Sequence, residues 1–307
     1  MARWDPTVIG EADFLPESFQ TADQASISGQ RQALRWHRGL ILMLVAAAVV
    51  SAVTGAPEHG RTNLAPLVSV AAFLVAGYFW TRLRQSNPQA RWHEARAAAE
   101  SVKTLAWKYT VRARPFDGPA DSLEVDEDYR EQVADVLRAF EDSGVISPGA
   151  MPEITEGMRE LRASNLMARR MLYLRLRVEG QRTWYRAKAD ACESQSVSWG
   201  LGIAALMILG AAAAVAQAAG ALSLDLFGAC SAGATAVIAW TQLKQLRPLV
   251  SAYQLAAKEL DLVWGKLSTL DLAGPDAEAA WSRLAGDVED AVAREHTSWR
   301  ARRAFPR

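Results

Sequence analysis

The chain is 307 residues long and half apolar, with 34 basic side chains balanced by 34 acidic ones. One soluble domain of that size is conceivable, but the apolar residues fall into four uncharged blocks, a membrane pattern in which apolar spans and charged helices average to a mean hydropathy near zero. The two cysteines, Cys192 beside a span and Cys230 inside one, exclude a disulfide framework or a Cys-rich metal site and read as structural thiols.

Residues 1–30 are polar, carry Pro6, Pro16 and Gly29, and read as an irregular cytoplasmic segment. Their acids (Asp5, Glu11, Asp13) and lack of an apolar run argue against a cleavable signal peptide. The first span is expected at about 39–57, anchored by Arg31, Arg35 and Arg38 one turn apart and by Trp36 at interface depth. Gly55, Pro57 and Gly60 break it, leaving Glu58, His59 and Arg61 in water, and Pro66 opens a return span at about 64–81. Tyr78, Phe79 and Trp80 form a second aromatic belt. Beyond it Trp92, Ala95, Ala99, Val102 and Ala106 recur at helical steps, so an amphipathic stem continues to about Arg112–Pro115, with Pro88 as a kink or cap. Residues 31–116 thus form a first two-span unit.

Residues 117–153 read as an acidic linker with one short helix from about Asp126 to Ser143. From Thr155 to Ser196 the helical period returns at high charge. Leu161, Leu172, Tyr173 and Leu176 are expected to pack, while Arg169, Arg170, Arg175, Arg177, Arg182, Arg186 and Lys188 face water or a ligand, and the helix should feed the third span unbroken. Ser194 to Leu224 then offers 31 residues without a charged side chain, and Leu226 to Leu243 offers 18 more after the single Asp225. A helix needs about 20 apolar residues to cross about 30 Å of hydrocarbon. Spans are therefore expected at about 198–219 and 222–241, joined by a tight turn near Gly220. An amphipathic stem from Pro248 stops at Gly274 and Pro275, and a last helix runs from about Asp276 to Arg303, placing Trp281, Leu284, Val288 and Val292 on one face. Residues 154–304 make the second two-span unit. The expected fold is an all-α membrane protein, with four transmembrane helices as two helical hairpins continued by long cytoplasmic amphipathic helices.

Seven bases against one acid, Glu179, between Arg169 and Lys188, and no base between the third and fourth spans, predict that both termini are cytoplasmic. No catalytic signature is present. Gly265, Lys266 and Ser268 lack the spacing of a phosphate loop, and His37, His59, His93 and His296 lack metal-site pairing, so neither an enzyme nor a metal or cofactor site is expected.

Inside the membrane Gln217, Asp225, Ser231 and Thr235 are the candidate pore-lining residues, with Ser51, Thr54 and Ser69 as further polar span positions. Asp225 fits either the outer interface or a pore mouth. The small pairs Gly228 with Ala232 and Ala229 with Gly233 suit close helix contact or a thin pore wall. Four spans cannot easily enclose water, so a pore requires a homo-oligomer. On the cytoplasmic side Arg112, Arg114, Arg177, Arg182, Trp184 and Lys188 combine cations with aromatic faces, as contact with a nucleotide would need. Arg294, His296, Trp299 and Arg300 form a similar group. Equally, such bases hold anionic lipid or salt-bridge neighbouring helices.

The two halves resemble each other: Trp80-Thr81-Arg82-Leu83 leaves the second span as Trp240-Thr241-Gln242-Leu243 leaves the fourth, followed by Ala98, Glu100, Trp107 and by Ala257, Glu259, Trp264. The run Trp92, Glu94, Arg96, Glu100, Lys103, Thr104, Trp107, Tyr109, then Arg114-Pro115-Phe116, resembles the stem of one SLATT subgroup. Tyr173, Arg177, Gln181, Trp184, Tyr185 and Lys188, the second hairpin, and Arg294, His296, Trp299 and Arg300 are similar to another. The resemblance implies a bacterial two-span effector of the cytoplasmic membrane that forms an oligomeric pore in an anti-phage defence system. Its cytoplasmic helices would be gated by a nucleotide or oligonucleotide signal, or by a partner that senses one, with a nucleotidyltransferase as the implied partner. The alternative is a non-conducting membrane scaffold that recruits a nucleotide-signalling enzyme. The family fixes no ligand positions that transfer to this chain.

Overall fold

The computed structural model describes residues 9–53, 64–141 and 153–304, and the side chains among them except those of 53, 141 and 294–304. Among the described residues the chain is helical and contains no strand. A single turn of 3₁₀ helix (Glu11–Phe14) leads into α1 (Glu17–Val53). Residues 1–30 were expected to be irregular, but from Glu17 they are helix, because Pro16 stands ahead of the first turn, where its missing N–H costs nothing. Gly29 lies within α1, where a Cβ would come 3.2 Å from the Trp92 Cα, so glycine lets two backbones approach. Phe14 and Leu15 are buried, with the Phe14 ring 5.7 Å from that of Trp107. Glu11 accepts from Lys103 Nζ at 2.8 Å and from Trp107 Nε1 at 3.1 Å.

Helix α2 (Ala65–Ser86) carries Pro66 in its first turn. Asn87, at φ 35°, ends it, and Pro88 starts α3 (Pro88–Thr110) instead of kinking a longer helix. Ala95, Ala99, Val102 and Ala106 of α3 are buried, following the expected stripe. Helix α4 (Leu123–Glu141) buries Val125, Tyr129, Val133 and Leu137 at four-residue steps. Tyr129 stands 4.7 Å from Tyr109 and 5.8 Å from Phe116, so this part of the expected linker belongs to the core. The expected end of that helix, Ser143, lies outside the described residues, as do Thr54, Gly55, Pro57, Glu58, His59, Gly60 and Arg61, and with them the end of the first span.

The predicted unbroken helix into the third span is divided. Helix α5 (Glu156–Ala163) is capped by Thr155, which accepts from Met158 N at 3.2 Å, and α6 (Leu166–Leu172) by Asn165, which accepts from Ala168 N at 2.9 Å. A π-helical segment (Tyr173–Glu179) then leads into α7 (Gly180–Ala218). After Gly220, at φ 72°, α8 (Leu226–Lys244) begins four residues later than Leu222, because the Asp225 side chain accepts from Gly228 N and sets the helix start. Gln245, at φ 50°, separates α8 from α9 (Leu246–Ser268), and α10 (Ala277–Ala304) completes the chain. Four helical stretches, Glu17–Ala52, Ala65–Thr110, Leu166–Ala218 and Leu226–Ser268, are long and apolar enough to cross a membrane.

Two compact units result, and they do not follow the two sequence halves. A helical body takes the chain up to Gln30, from Gln89 to Tyr185 and from Ala256 onward. A membrane unit takes Arg31 to Pro88 and Arg186 to Leu255. Each draws on both halves, because the apolar hairpins cluster together and the charged stems do likewise.

Within the membrane unit the first hairpin closes at Gly39, where a Cβ would sit 2.8 Å from the Phe79 ring. The Trp36 ring lies 5.7 Å from that of Phe79, tilted by 54°, and Ser69 Oγ donates to the Ala47 carbonyl at 3.3 Å. The second hairpin closes through small residues. A Cβ on Gly210 would lie 3.1 Å from that of Cys230, and one on Gly233 3.6 Å from Leu206. Asp225 N donates to the Ala52 carbonyl at 3.3 Å, joining the two hairpins.

Candidate functional site

Among the described residues the body buries seven charged side chains, Lys103, Lys108, Asp126, Arg162, Arg169, Arg177 and Glu289, and the way the last four are satisfied defines the candidate site. Burying an unpaired charge is costly, so each of these groups is expected to find counter-charge or several hydrogen bonds. Glu289 lies four residues after Ala285 and eight after Trp281, on the buried stripe of α10. It accepts from Arg177 through two bonds, Nε at 2.9 Å and Nη2 at 2.8 Å, and from the Tyr173 hydroxyl at 2.7 Å. Tyr173 and Arg177 both belong to the π-helical segment, whose wider turn leaves the two side chains four residues apart on a common carboxylate. Burial pushes the Tyr173 hydroxyl well above its ordinary value, with Glu289 adding to the effect. For Arg177 burial acts downward, but the charge of Glu289 and its hydrogen bonds overcome it, so the guanidinium is held charged more firmly than usual. Arg177 was expected to face water or a ligand and is instead closed inside the core, because Glu289 supplies the counter-charge there.

Two further arginines clamp the loop after α3. Arg162 Nη1 donates to the Tyr109 and Phe116 carbonyls at 2.7 and 2.8 Å, and Nη2 to those of Gly118 and Pro119 at 3.0 and 3.1 Å. Its guanidinium lies 4.6 Å over the Tyr109 ring, and burial brings its pKa down to about 10. Tyr109 in turn donates to Asp126, which also accepts from Arg159 at 2.9 Å; burial first, then Asp126, raises the Tyr109 hydroxyl. Arg169, equally buried despite the expectation of exposure, donates to Glu278, to Ser164 O and to Val111 O, and the Trp281 indole shares the Val111 carbonyl at 2.8 Å.

The predicted ligand residues separate into groups. Arg112, at φ 57°, and Arg114 stand on the clamped loop, half-buried and exposed respectively. The buried Nε of Arg112 meets no acceptor among the described residues, and a Cβ on Gly286 would touch the Arg114 backbone, so α10 packs directly beneath this loop. Arg182 bridges Glu179 at 2.6 Å and Asp261 at 2.8 Å, and the Glu179 hydrogen bond, followed by Asp261, holds its pKa up against burial. Trp184 lies under Arg96 at 5.9 Å. Lys188 is exposed and belongs to the membrane unit. Arg294, His296, Trp299 and Arg300 lie on α10 beyond the described side chains.

Of the pore-lining candidates, Gln217, Ser231 and Thr235 are exposed, while the small residues on the other side of α8 pack within the hairpin. Ser231 and Thr235 are four residues apart on one face of α8, and among the described residues no hydrogen bond engages either hydroxyl. Asp225 is exposed and caps α8, accepting from Gly228 N at 2.9 Å, which leaves no room for a side chain at Gly228.

The central cluster of Tyr173, Arg177 and Glu289 escaped sequence reasoning as a unit. Glu289 carried the one available signal, an acid inside the apolar stripe of the last helix.

Comparison with protein-family models yields two matches. Residues 16–170 match SMODS and SLOG-associating 2TM effector domain 3, and residues 173–299 match SMODS and SLOG-associating 2TM effector domain 1. No curated protein and no solved structure matches the chain. The first match reaches well beyond the expected unit of 31–116, taking in the N-terminal helix and α4, and the two meet beside the π-helical segment. Domains of this kind are two-span membrane effectors associated with defence systems. The chain is a multi-pass, all-α membrane protein that belongs to the SLATT family and carries two of its effector domains in tandem.

Proposed function

We propose that the protein is an oligomeric pore-forming effector of the bacterial cytoplasmic membrane, with both termini in the cytoplasm. Its helical body gates the pore in response to a nucleotide or oligonucleotide signal, or to a partner, such as a nucleotidyltransferase, that handles one. The observation that carries this reading is the outward polar stripe of Ser231 and Thr235, exposed and, among the described residues, without hydrogen-bond partners, on a helix whose opposite face is filled. Polar side chains inside a membrane face water or one another, and an interhelical hydrogen bond there is worth about 1 kcal/mol. A second copy of the chain supplies both the partner and, by closing a ring, the water path.

Gating through the body rests on continuity. Helix α7 runs from Gly180, next to the π-helical segment held by Glu289, to Ala218 inside the membrane unit. Arg112 and Arg114 are the bases best placed to receive a phosphate-bearing signal, since Arg177 and Arg182 already serve Glu289, Glu179 and Asp261. That same commitment favours, as a second reading, a body that docks a signalling enzyme on a non-conducting scaffold.

A membrane-potential dye in cells expressing the full chain, with and without an induced nucleotidyltransferase, tests the pore. Depolarisation in one of the two states is expected. A polarised membrane in both, with the protein present in the membrane fraction, leaves the scaffold.

A further inference from the structure

The foot of the first hairpin carries five exposed arginines. Arg31, Arg35 and Arg38 follow one another at four- and three-residue steps along one side of α1, all exposed, and Arg82 and Arg84 are exposed on α2. None of the five forms an ion pair among the described residues. The sequence offers no nearby acid: between Asp23 and Glu94 the single carboxylate is Glu58, in the connection past Val53. Arg38 and Val53 are fifteen residues apart on α1, about 22 Å along the axis.

Two of the arginines lie against rings. The Arg82 guanidinium lies 5.6 Å over Trp36 and that of Arg84 5.3 Å over Trp80. Trp36 is fixed in turn against Tyr78 at 6.3 Å and Phe79 at 5.7 Å, an arrangement that Gly39 permits. A guanidinium placed over an indole can still offer N–H groups outward, which suits two-point contact with a phosphate. Tyr78 and Trp80 are half exposed at the end of the span, the depth that amphipathic rings favour.

The foot of the second hairpin differs. Asp190 and Glu193 accompany its bases, and Lys244 bonds to Gln195 at 3.2 Å. Two hairpins with similar topology therefore present different charge to the headgroup layer.

From this we infer that the foot of the first hairpin is a selective binding collar for anionic phospholipid headgroups, with Arg35, Arg38, Arg82 and Arg84 gripping the phosphate and Trp36 and Trp80 seating the guanidinium groups. The collar requires only that the hairpins span a membrane and is independent of pore formation. It makes residence of the first hairpin depend on lipid charge more strongly than that of the second, where acids offset part of the basic charge.

The test uses the purified full chain in mixed micelles containing equal phosphatidylglycerol and phosphatidylcholine, with lipid carried through purification quantified by mass spectrometry. Because the four arginines attract an anionic headgroup and gain little from a zwitterionic one, phosphatidylglycerol should be retained at least about tenfold over phosphatidylcholine. The preference should vanish in R35Q/R38Q/R82Q/R84Q and persist in K244Q/R247Q. Because the fourfold variant can lose its fold, the wild-type chain is also measured across salt: the preference should fall steeply as ionic strength rises past the point where the screening length is about 3 Å. Equal retention of both lipids, equal loss in the two variants, or a preference that ignores salt would each overturn the collar. Inorganic phosphate at millimolar concentration should leave the retained lipid in place; displacement by it would assign the cluster to a free phosphate and overturn the lipid assignment.

Discussion

In the helical body Arg162, Arg169, Arg177 and Glu289 are buried while Met167 and Met171 stand exposed; in the membrane unit the exposed side chains include Leu74, Ile208 and Val215. The two units solve opposite solvation problems with one chain. The body excludes water and must neutralise the charges it encloses, so its specificity resides in hydrogen-bonded arginines. The membrane unit has no water to exclude, so its helices meet through close approach at Gly39, Gly210 and Gly233, and its apolar surface is left for lipid or a second copy. The same class of substitution should therefore have opposite consequences in the two regions.

The largest effect is expected at the buried pair. Glu289→Ala strands Arg177 in the core and should destabilise the body by about 3–5 kcal/mol, read as an early unfolding transition of the detergent-solubilised chain. Tyr173→Phe, which removes one of three donors to the same carboxylate, should cost only about 1 kcal/mol. An unfolding curve for Glu289→Ala that overlays the wild type would show that the pair does not hold the core.

In the membrane unit the sensitive positions are glycines. Gly39→Val forces a side chain into Phe79 and should cost about 1–3 kcal/mol, whereas Gly77→Ala on the neighbouring helix meets open space and should leave thermal stability unchanged. Equal effects at the two positions would contradict the packing of the first hairpin.

A smaller change separates the roles of Asp225. Asp225→Ala removes the cap of α8 and should lose about 1 kcal/mol, while Asp225→Asn keeps the acceptor and removes the charge. If Asp225 only caps at the interface, Asn leaves ion selectivity as it was; if it rings a pore mouth, cation preference falls in planar-bilayer recordings. The smallest effect belongs to Arg182→Ala. Its pairs with Glu179 and Asp261 are partly exposed, and the loss should stay within about 1 kcal/mol, in contrast with Arg177 five residues earlier.

The four long apolar helices were legible because about 20 uncharged residues in a row admit few other solutions, and Pro66 and Gly220 lie where helices begin and end. The body was harder to read. Arg169 and Arg177 look solvent-facing on a wheel drawn for one uninterrupted helix, but Asn165 restarts the helix and the π-helical segment changes its phase, turning both residues inward. The N-terminal helix was hidden by counting Pro16 and Gly29 as breakers, although one precedes the first turn and the other fits against Trp92. Glu289 could be placed on α10 from its period, but its partners could not, since they come from a segment more than a hundred residues earlier. Arg112 and Arg114 were found as bases without the clamp of Arg162 and Arg169 that presents them.

The most direct test of the central claim is ion flux from liposomes that hold the purified full chain, compared for the wild type, Glu289→Ala and Ser231→Leu/Thr235→Leu. The account predicts flux from the wild type or from the Glu289→Ala chain, whose π-helical segment at the head of α7 has lost its counter-charge, and its loss when the Ser231 and Thr235 stripe is made apolar in the conducting form. Tight liposomes with both of the first two proteins, inserted and oligomeric, would contradict it.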